Sequence, residues 1–238
     1  MNRELMTLVA TLGLTAAATA SPVGVYINDD FSTTLNTTIW SNYSSPATAV
    51  TVANSKLNGA NNPTGDWVFA NSPNAVHPDA GQTVVLSSSS MELGGYPVSD
   101  NWGLTDNGSN SINLRQFRTG LNPSDYYVGV QISTSLGVQY LTLSTQTYQI
   151  TGGWDISWTP TQVKITNTIL GTVFDSTVQT LDGSSNAWVL PTANMTPMVK
   201  AYYGGFWFDN MKLEVIPEPA SALLLGLALA GLWGRKRR

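Results

Sequence analysis

Cysteine is absent from this chain, and histidine occurs once, as His77. Without cysteine there is no disulfide framework, no thiolate metal ligand and no cysteine nucleophile. A single histidine excludes a multi-histidine zinc site, and a Ser-His-Asp triad would have to use that one residue. The surrounding sequence, AVHPDA, indicates a surface loop. These absences remove several common classes of hydrolase and metalloprotein.

Charged residues are also scarce. They make up 11% of the chain, against about a quarter of an average globular protein. The formal net charge is −4, although the last four residues are all basic. The rest of the chain is therefore more acidic than the total suggests, and nucleic acid is not an expected partner. Hydrophobic residues reach 42% and aromatic residues 10%, which is enough apolar material for a folded core.

Residues 1–20 have the features of a signal peptide. Arg3 precedes a long apolar segment rich in alanine, and Ala18 and Ala20 form an A-x-A cleavage site. We therefore expect the mature chain to begin at Ser21.

Residues 216–238 form a second segment that differs from the rest of the chain. Its apolar part runs from Ala220 to Trp233. A helix over this part would be about 21 Å long, which is short against the roughly 30 Å hydrocarbon core of a bilayer. We predict a short transmembrane helix with a cytoplasmic basic tail. That tail consists of Arg235, Lys236, Arg237 and Arg238.

The sequence Pro217-Glu218-Pro219 stands directly before the apolar part. Two prolines in three residues are expected to end the last strand and to form an extended spacer. The Pro-Glu-Pro backbone would then be unpaired and open to a protease.

The order of a Pro-Glu-Pro motif, a short apolar helix and a terminal basic cluster resembles the bacterial PEP-CTERM sorting signal. This resemblance implies recognition at the inner membrane by an exosortase, a membrane protease-transpeptidase that cleaves near the motif. It also implies a Gram-negative host and a destination in the cell envelope or biofilm matrix. It covers only residues 216–238 and does not describe the body of the protein.

Residues 21–215 show the two-residue periodicity of β-strands. Val128, Val130 and Ile132 alternate with other side chains, and Trp154 and Trp158 share one face of another strand. Turn signals such as Asn-Gly and Gly-Gly separate the runs. The pattern predicts one all-β domain over 21–215, a two-sheet antiparallel β-sandwich, with both tryptophans in its core.

Three stretches of this domain resemble concanavalin A-like and laminin-G-like jelly rolls, a group that includes family-16 glucanases. They are Asp29 to Trp40, Trp154 to Thr166 and Tyr202 to Val215. The last one is also similar to the closing strand of carbohydrate-binding modules, which leaves that sandwich as an alternative.

The resemblance raises the question of catalysis. Glucanases of that group carry two glutamates and an aspartate close together on one strand, and glycoside hydrolysis requires two carboxylates. The glutamates of the body are Glu92 and Glu214, and neither belongs to such a motif. We expect no catalytic residues and no enzyme activity.

Exposed aromatic side chains next to polar loops are typical of sugar-binding sites. Tyr96 and Trp102 lie in a stretch rich in Asp and Asn, and Trp67 follows Asp66. These three aromatic residues are candidates for glycan binding. The alternative is that they close the core and that the polar residues only form turns.

A structural calcium ion is a second candidate feature, because sandwiches of this type often carry one that joins the first and last strands. Asp29 and Asp30 lie near the start of the domain and Asp209 near its end. Asp209 shares a strand parity with Met211 and with the other apolar residues of the last strand, and a buried carboxylate needs a partner. The alternatives are a bulge that turns Asp209 outward, or a backbone hydrogen bond.

Three functional hypotheses follow. The first is an exported, exosortase-sorted surface or matrix protein whose sandwich binds polysaccharide or an envelope partner. The second is an inert structural surface protein. The third is an extracellular glycan hydrolase, which the lack of a paired-carboxylate motif makes the least favoured of the three.

Overall fold

The computed structural model describes residues 21–44, 50–59, 66–93, 100–118, 126–144, 150–181, 186–201 and 206–218. The expected signal peptide and the expected transmembrane helix both lie outside these ranges. Within them the regular structure is β, apart from one 3₁₀ turn at Ser72–Asn74. No helix among the described residues is long and apolar enough to cross a membrane.

The described strands form two antiparallel sheets. The eight-stranded sheet contains β1 (Gly24–Asp29), β3 (Val50–Ala53), β4 (Lys56–Gly59), β6 (Gln82–Leu93), β11 (Ile150–Trp158), β12 (Val163–Asn167), β13 (Gly171–Asp175) and β15 (Phe206–Pro217). The seven-stranded sheet contains β2 (Trp40–Asn42), β5 (Asp66–Ala70), β7 (Asp100–Thr105), β8 (Ser111–Arg118), β9 (Tyr126–Thr134), β10 (Gly137–Ser144) and β14 (Thr196–Ala201).

Strands distant in sequence are neighbours in both sheets. The seven-stranded sheet has the order β10-β9-β8-β7-β14-β5-β2. In the other sheet, β15 pairs along its whole length with β6, while β4 and β1 share its opposite edge. Non-local pairings of this kind close the two-sheet jelly-roll sandwich that the periodicity predicts.

The hydrophobic core lies between the two sheets. Trp154 and Trp158 are buried, as predicted. Trp102 of the seven-stranded sheet stacks on Phe208 of the other sheet, with ring centroids 6.5 Å apart. Side chains on alternate positions of each strand therefore build one core, and the positions between them form the two outer faces.

The last strand, β15, reverses its buried face in the middle. Phe208 is buried, and so is Met211, although the two differ in parity. The reversal occurs at Asn210, whose φ of 50° is left-handed, a conformation that asparagine tolerates better than most residues. Asp209 is consequently half-buried rather than in the core, and its backbone oxygen accepts bonds from the hydroxyls of Ser88 and Ser89. The parity argument that placed Asp209 on the apolar face is therefore wrong.

Candidate functional site

The outer face of the seven-stranded sheet is polar. On β7, Asn101 alternates with the buried Trp102. On β8, Asn113 and Arg115 occupy the outward positions, and Gln131 does so on β9. Amide side chains thus cover the middle of this face, where a carboxylate pair would be needed for glycoside hydrolysis.

Two hollows on this face join into one groove. The first has a volume of about 460 Å³ and the second about 340 Å³. Phe69, Thr105 and Asn107 line both of them, so the two hollows are continuous. Each is in the size range of small-ligand sites, about 300–1,000 Å³.

A glycine on β7 leaves the middle of the groove without a side chain. A Cβ atom on Gly103 would lie 2.0 Å from the backbone oxygen of Ile112 on the neighbouring strand. Only glycine fits this close approach between strands. The position therefore adds no side chain to the middle of the groove.

Two amide oxygens on the floor have no hydrogen-bond donor among the described residues. They are Oδ1 of Asn101 and Oδ1 of Asn113. The Nδ2 group of Asn113, in contrast, donates to the hydroxyl of Ser111 at 3.0 Å. A buried acceptor without a donor costs about 1–3 kcal/mol. Ordered water or a ligand hydroxyl can supply the missing donors.

Exposed tyrosines lie at both edges of this sheet. Tyr43 follows β2 at one edge of the sheet and packs edge-on against Phe69, with ring centroids 5.5 Å apart. Tyr140 lies on β10 at the opposite edge, beside a third hollow of about 360 Å³ that Arg115 also lines. The exposed fractions of Tyr43 and Tyr140 are 61% and 46%. The seven strands have six spacings between them, so these edges are about 29 Å apart at 4.8 Å per spacing.

A tight loop holds one wall of the groove. The carboxylate of Asp106 accepts bonds from the backbone N–H of Gly108 at 2.7 Å and from the backbone N–H of Asn110 at 3.0 Å. It also accepts one from Nδ2 of Asn110 at 2.7 Å. Burial alone would raise the pKa of Asp106, but the hydrogen bonds from Asn110 and Gly108 outweigh it and hold this pKa below its usual value. The loop presents Asn107 to both hollows.

Of the three predicted glycan-binding side chains, the structure describes that of Trp102. Trp102 is fully buried, so its indole lies in the core and cannot stack on a sugar. Tyr96 lies outside the described residues. Trp67 lies on β5, where its backbone pairs with that of Lys200. The structure describes the backbone of Trp67 and not its side chain. Their assignment to glycan binding is therefore corrected for Trp102 and stays a prediction for the other two.

The predicted calcium ligands have other partners. Oδ2 of Asp29 accepts a bond from the indole N–H of Trp40 at 2.8 Å, and its Oδ1 accepts one from the backbone of Phe31. Oδ1 of Asp30 accepts the backbone N–H of Ser32 at 3.0 Å. In the described part of the chain no three acidic or histidine side chains form a group that could hold a metal ion. Asp29, Asp30 and Asp209 thus do not converge there, and calcium stays a prediction.

The glutamates of the body lie on the other sheet. Glu92 on β6 accepts a bond from the indole N–H of Trp207 at 3.0 Å, and Glu214 on β15 pairs with Lys212 at 2.7 Å. Neither lines the groove.

The start of the sorting motif is paired with the sandwich. Pro217 lies opposite Gln82 at the end of β15, and the backbone N–H of Glu218 donates to the carbonyl oxygen of Gly81 at 2.8 Å. The expectation of an unpaired Pro-Glu-Pro backbone is therefore wrong for its first two residues, because a proline at a strand end removes only one donor. Pro219 and the basic tail lie outside the described residues.

The expected mature N-terminus is held at the same corner. Ser21 is buried, and its carbonyl oxygen accepts a bond from Nε2 of Gln82 at 3.2 Å. Its hydroxyl accepts the backbone N–H of His77 at 3.0 Å. Ala18 and Ala20 lie outside the described residues. One side chain, Gln82, therefore links the first residue of the body to the strand that ends in the sorting motif.

His77 belongs to this corner and not to an open loop. Its ring is partly buried and packs edge-on against Trp158, with centroids 5.1 Å apart. Burial lowers the pKa of His77, although the nearby charge of Asp79 opposes the shift. His77 lies outside the strands, as expected of a loop residue, but it is half-buried because the core tryptophan covers one side of its ring.

Comparisons with known proteins agree with both parts of the chain. Residues 215–238 match the PEP-CTERM protein-sorting motif. No curated protein matches the chain in sequence.

Solved structures match the sandwich. A pseudo β-1,3-glucanase of Mycobacterium tuberculosis, described also as an immunostimulatory antigen, superposes with a TM-score of 0.55 at 13% identity over 80% of this chain and 98% of its own. A β-1,3-glucanase of Mycobacterium marinum gives 0.52 at 11% identity over 82% and 99%. A glycosyl hydrolase family 16 protein of Mycobacterium smegmatis gives 0.54 at 10% identity over 80% and 100%. At these identities the likeness establishes the fold, and the chain therefore combines a jelly-roll β-sandwich with a PEP-CTERM protein-sorting motif at residues 215–238.

Proposed function

We propose that this is an exported protein, sorted through its PEP-CTERM motif to the cell envelope or extracellular matrix, whose sandwich binds polysaccharide without cleaving it. The observation that carries the proposal is the groove of the seven-stranded sheet. Two amide oxygens without a donor among the described residues lie on its floor, and exposed tyrosines lie at the two edges of the same sheet.

The chemistry of the groove suits sugar rings. Hydroxyl groups can donate to Oδ1 of Asn101 and Oδ1 of Asn113, which would remove the cost of leaving both acceptors unpaired. Tyr43 and Tyr140 offer flat apolar surfaces for stacking, and each also carries a hydroxyl. The two joined hollows reach from β2 to β9, about 24 Å over five strand spacings, a length that suits an extended polymer better than a single small molecule.

The fold neighbours include proteins described as glucanases, so hydrolysis is the competing reading. The described lining of the groove contains one carboxylate, that of Asp106, and its oxygens already accept three hydrogen bonds within the loop. Hydrolysis with either stereochemical outcome requires two carboxylates about 5–10 Å apart. Binding is therefore the function that this geometry supports better.

Affinity electrophoresis of the full chain in mild detergent, through native gels that contain polysaccharide, tests the proposal. We expect retardation on at least one polymer and no release of reducing sugar. Tyr140→Ala is expected to weaken binding about tenfold through lost stacking, and Asn113→Ala about threefold to tenfold through a lost hydrogen bond.

Tyr26→Ala is the matched control, since Tyr26 lies on β1 in the other sheet and its hydroxyl bonds to Pro22. Equal losses for Tyr140→Ala and Tyr26→Ala would show a general effect on folding and would contradict the groove assignment. Release of reducing sugar would favour the hydrolase.

A further inference from the structure

Three exposed aliphatic side chains cluster where the described body ends. They belong to Val23, Val25 and Ile216, and their exposed fractions are 55%, 58% and 38%. The final register pair at this end of β1 and β15 is Gly24 with Val215. Val23 and Ile216 are the next residue on each side of that pair, so they flank the same end of the pairing. These three exposed residues are termed the apolar patch.

The apolar patch lies on the outer face of the eight-stranded sheet. Val25 pairs with Glu214, and residues directly opposite each other on paired strands point to the same face. Glu214 and Ile216 are outward positions of β15, because Val215 between them is buried. Glu214 forms an ion pair with Lys212 at 2.7 Å, so these two neighbours add no net charge beside the patch. An exposed apolar patch with a polar rim is typical of a surface that contacts a protein or a membrane.

The positions of the apolar segments of the chain favour a membrane as the occupant. Glu218 is bonded to the body through Gly81, and the C-terminal apolar segment begins two residues later, at Ala220. Two residues of extended chain span at most about 7 Å. The apolar stretch of the expected signal peptide ends at Ala18, three residues before the buried Ser21, a reach of about 11 Å. Both segments therefore keep the same corner of the body close to any bilayer that they enter.

We propose that the apolar patch docks on the bilayer surface while residues 220–233 lie in the membrane. The three side chains then enter the interfacial region, as the apolar face of a surface-bound helix does, and the body stands on this corner in one orientation. The proposal rests on the predicted membrane segment and is independent of glycan binding.

Site-specific fluorescence on the full chain tests the docking. The chain contains no cysteine, so a single introduced cysteine is the only thiol that a bimane label can modify. Val25→Cys places the label in the patch. Ile169→Cys is the matched control, because Ile169 is 82% exposed in the turn between β12 and β13 of the same sheet. Ile169 lies beside Gly152, whose partner Met91 is about 30 Å along β6 from Gln82.

The labelled chains are reconstituted into phosphatidylcholine vesicles in which a fraction of the headgroups carries a nitroxide. A zwitterionic lipid is used because the chain has a net charge of −4 and anionic headgroups would repel an acidic body. We expect the nitroxide lipid to quench the label at position 25 strongly and the label at position 169 weakly. Aqueous iodide is expected to quench the two labels in the reverse order.

Serine substitutions separate docking from simple tethering. Val23→Ser combined with Ile216→Ser keeps the tether and removes apolar area, so we expect the ratio of docked to undocked bodies to fall at least about tenfold. Lipid quenching of the label in Val25→Cys should fall with it. Ile169→Ser combined with Leu170→Ser removes two exposed aliphatic side chains at the control turn, and we expect it to leave that quenching unchanged.

Four outcomes would overturn the proposal. Equal lipid quenching at positions 25 and 169 would show that the body turns freely on its tether. Quenching at position 25 that survives Val23→Ser with Ile216→Ser would show that the tether alone causes the proximity. A label at position 25 that stays open to iodide on these protein-free vesicles would point to a protein as the occupant of the patch. A full chain that does not float with the vesicles would remove both the membrane segment and the docking.

Discussion

The backbone N–H of Glu218 donates to the carbonyl oxygen of Gly81 at 2.8 Å, so the central residue of the sorting motif is bonded to the turn that precedes β6. A protease that binds its substrate as an extended chain must separate these two residues before it can reach the motif. The Gly81–Glu218 bond is therefore a physical barrier between the folded body and its processing.

Removal of the Gln82 side chain is expected to loosen this corner. Gln82→Ala deletes the bond to Ser21 and the bond that its Oε1 accepts from the backbone N–H of Asp79. We expect the amide of Glu218 to exchange its hydrogen about fivefold to tenfold faster, because each lost bond stabilises the folded corner by about 1 kcal/mol. Hydrogen-exchange mass spectrometry on the full chain measures this rate.

Gln139→Ala is the control for this change. The Gln139 side chain also makes two bonds to backbone, both to Val189, at a distant edge of the other sheet. Unchanged exchange at Glu218 in Gln82→Ala, or equal acceleration in both variants, would contradict the role of Gln82.

The ends of the protein isolated from its native host are a second prediction. Signal-peptide removal and exosortase processing together are expected to give a chain that begins at Ser21 and ends within Pro217 to Pro219. Intact-mass measurement with sequencing of both termini checks this. A chain that still ends at Arg238 would contradict processing.

The charge of Asp155 is expected to destabilise the fold at neutral pH. Burial, and next the negative charge of Glu214, raise the pKa of Asp155. Protonated Asp155 therefore favours the folded state, a contribution that is complete below the unfolded pKa of about 3.9 and is lost as pH rises through the higher folded pKa. Asp155→Asn should thus be more stable than the wild type at pH 7 and equal to it below about pH 4.

Urea unfolding at both pH values measures the difference. Lys212 and Glu214 on β15 and Lys164 on β12 are the charged neighbours across the same face, and they are unchanged in this variant. A variant less stable than the wild type at pH 7 would contradict the prediction.

The contribution of Asp106 to folding stability is expected to depend on pH in the opposite direction. Its lowered pKa means that the carboxylate stabilises the fold above the unfolded pKa of about 3.9, and that this contribution is lost as pH falls through the lower folded pKa. Asp106→Ala should cost about 1–2 kcal/mol at pH 7, since it deletes the bonds from Gly108 and Asn110. The difference from the wild type should shrink below about pH 4 in urea unfolding. A pH-independent difference would show that the loss comes from packing.

Trp102 provides a test of core against surface. Trp102→Ala is expected to cost about 3–5 kcal/mol of folding free energy, because a fully buried indole is removed. Trp102→Phe keeps most of the volume and should leave glycan affinity unchanged. A loss of affinity in Trp102→Phe that exceeds the loss in Tyr140→Ala would restore Trp102 as a binding residue.

Alternation in the sequence predicts the sandwich and its core, because inward positions of a half-buried strand repeat every two residues. Alternation alone does not identify which of two adjacent side chains faces the core when either could be buried. Asn101 and Trp102 show this ambiguity. The polar sequence around Trp102 allowed either a glycan-binding or a core tryptophan, and Phe208 of the opposite sheet is the packing partner that places it in the core.

The groove could not be assembled from local patterns. Tyr43, Asn113 and Tyr140 are separated by long stretches of sequence, and only the pairing of β14 with β5 and β7 brings their strands into one sheet. The prediction that Asp209 faces the core was wrong for a different reason. Asn210 has a left-handed backbone conformation, and the buried positions of β15 change from even to odd residue numbers there. Counting every second residue across Asn210 therefore does not identify the side chains that face the core.

The two ends of the body both belong to the eight-stranded sheet, since Ser21 leads into β1 and Glu218 follows β15. β15, whose end carries the start of the sorting motif, runs along its own strand axis, whereas the groove crosses the strands of the other sheet. Stacked sheets keep their strand directions within about 30° of each other. A polymer lying along the groove would therefore run across the axis of β15, and it would not run towards the end of the strand at which the sorting motif begins.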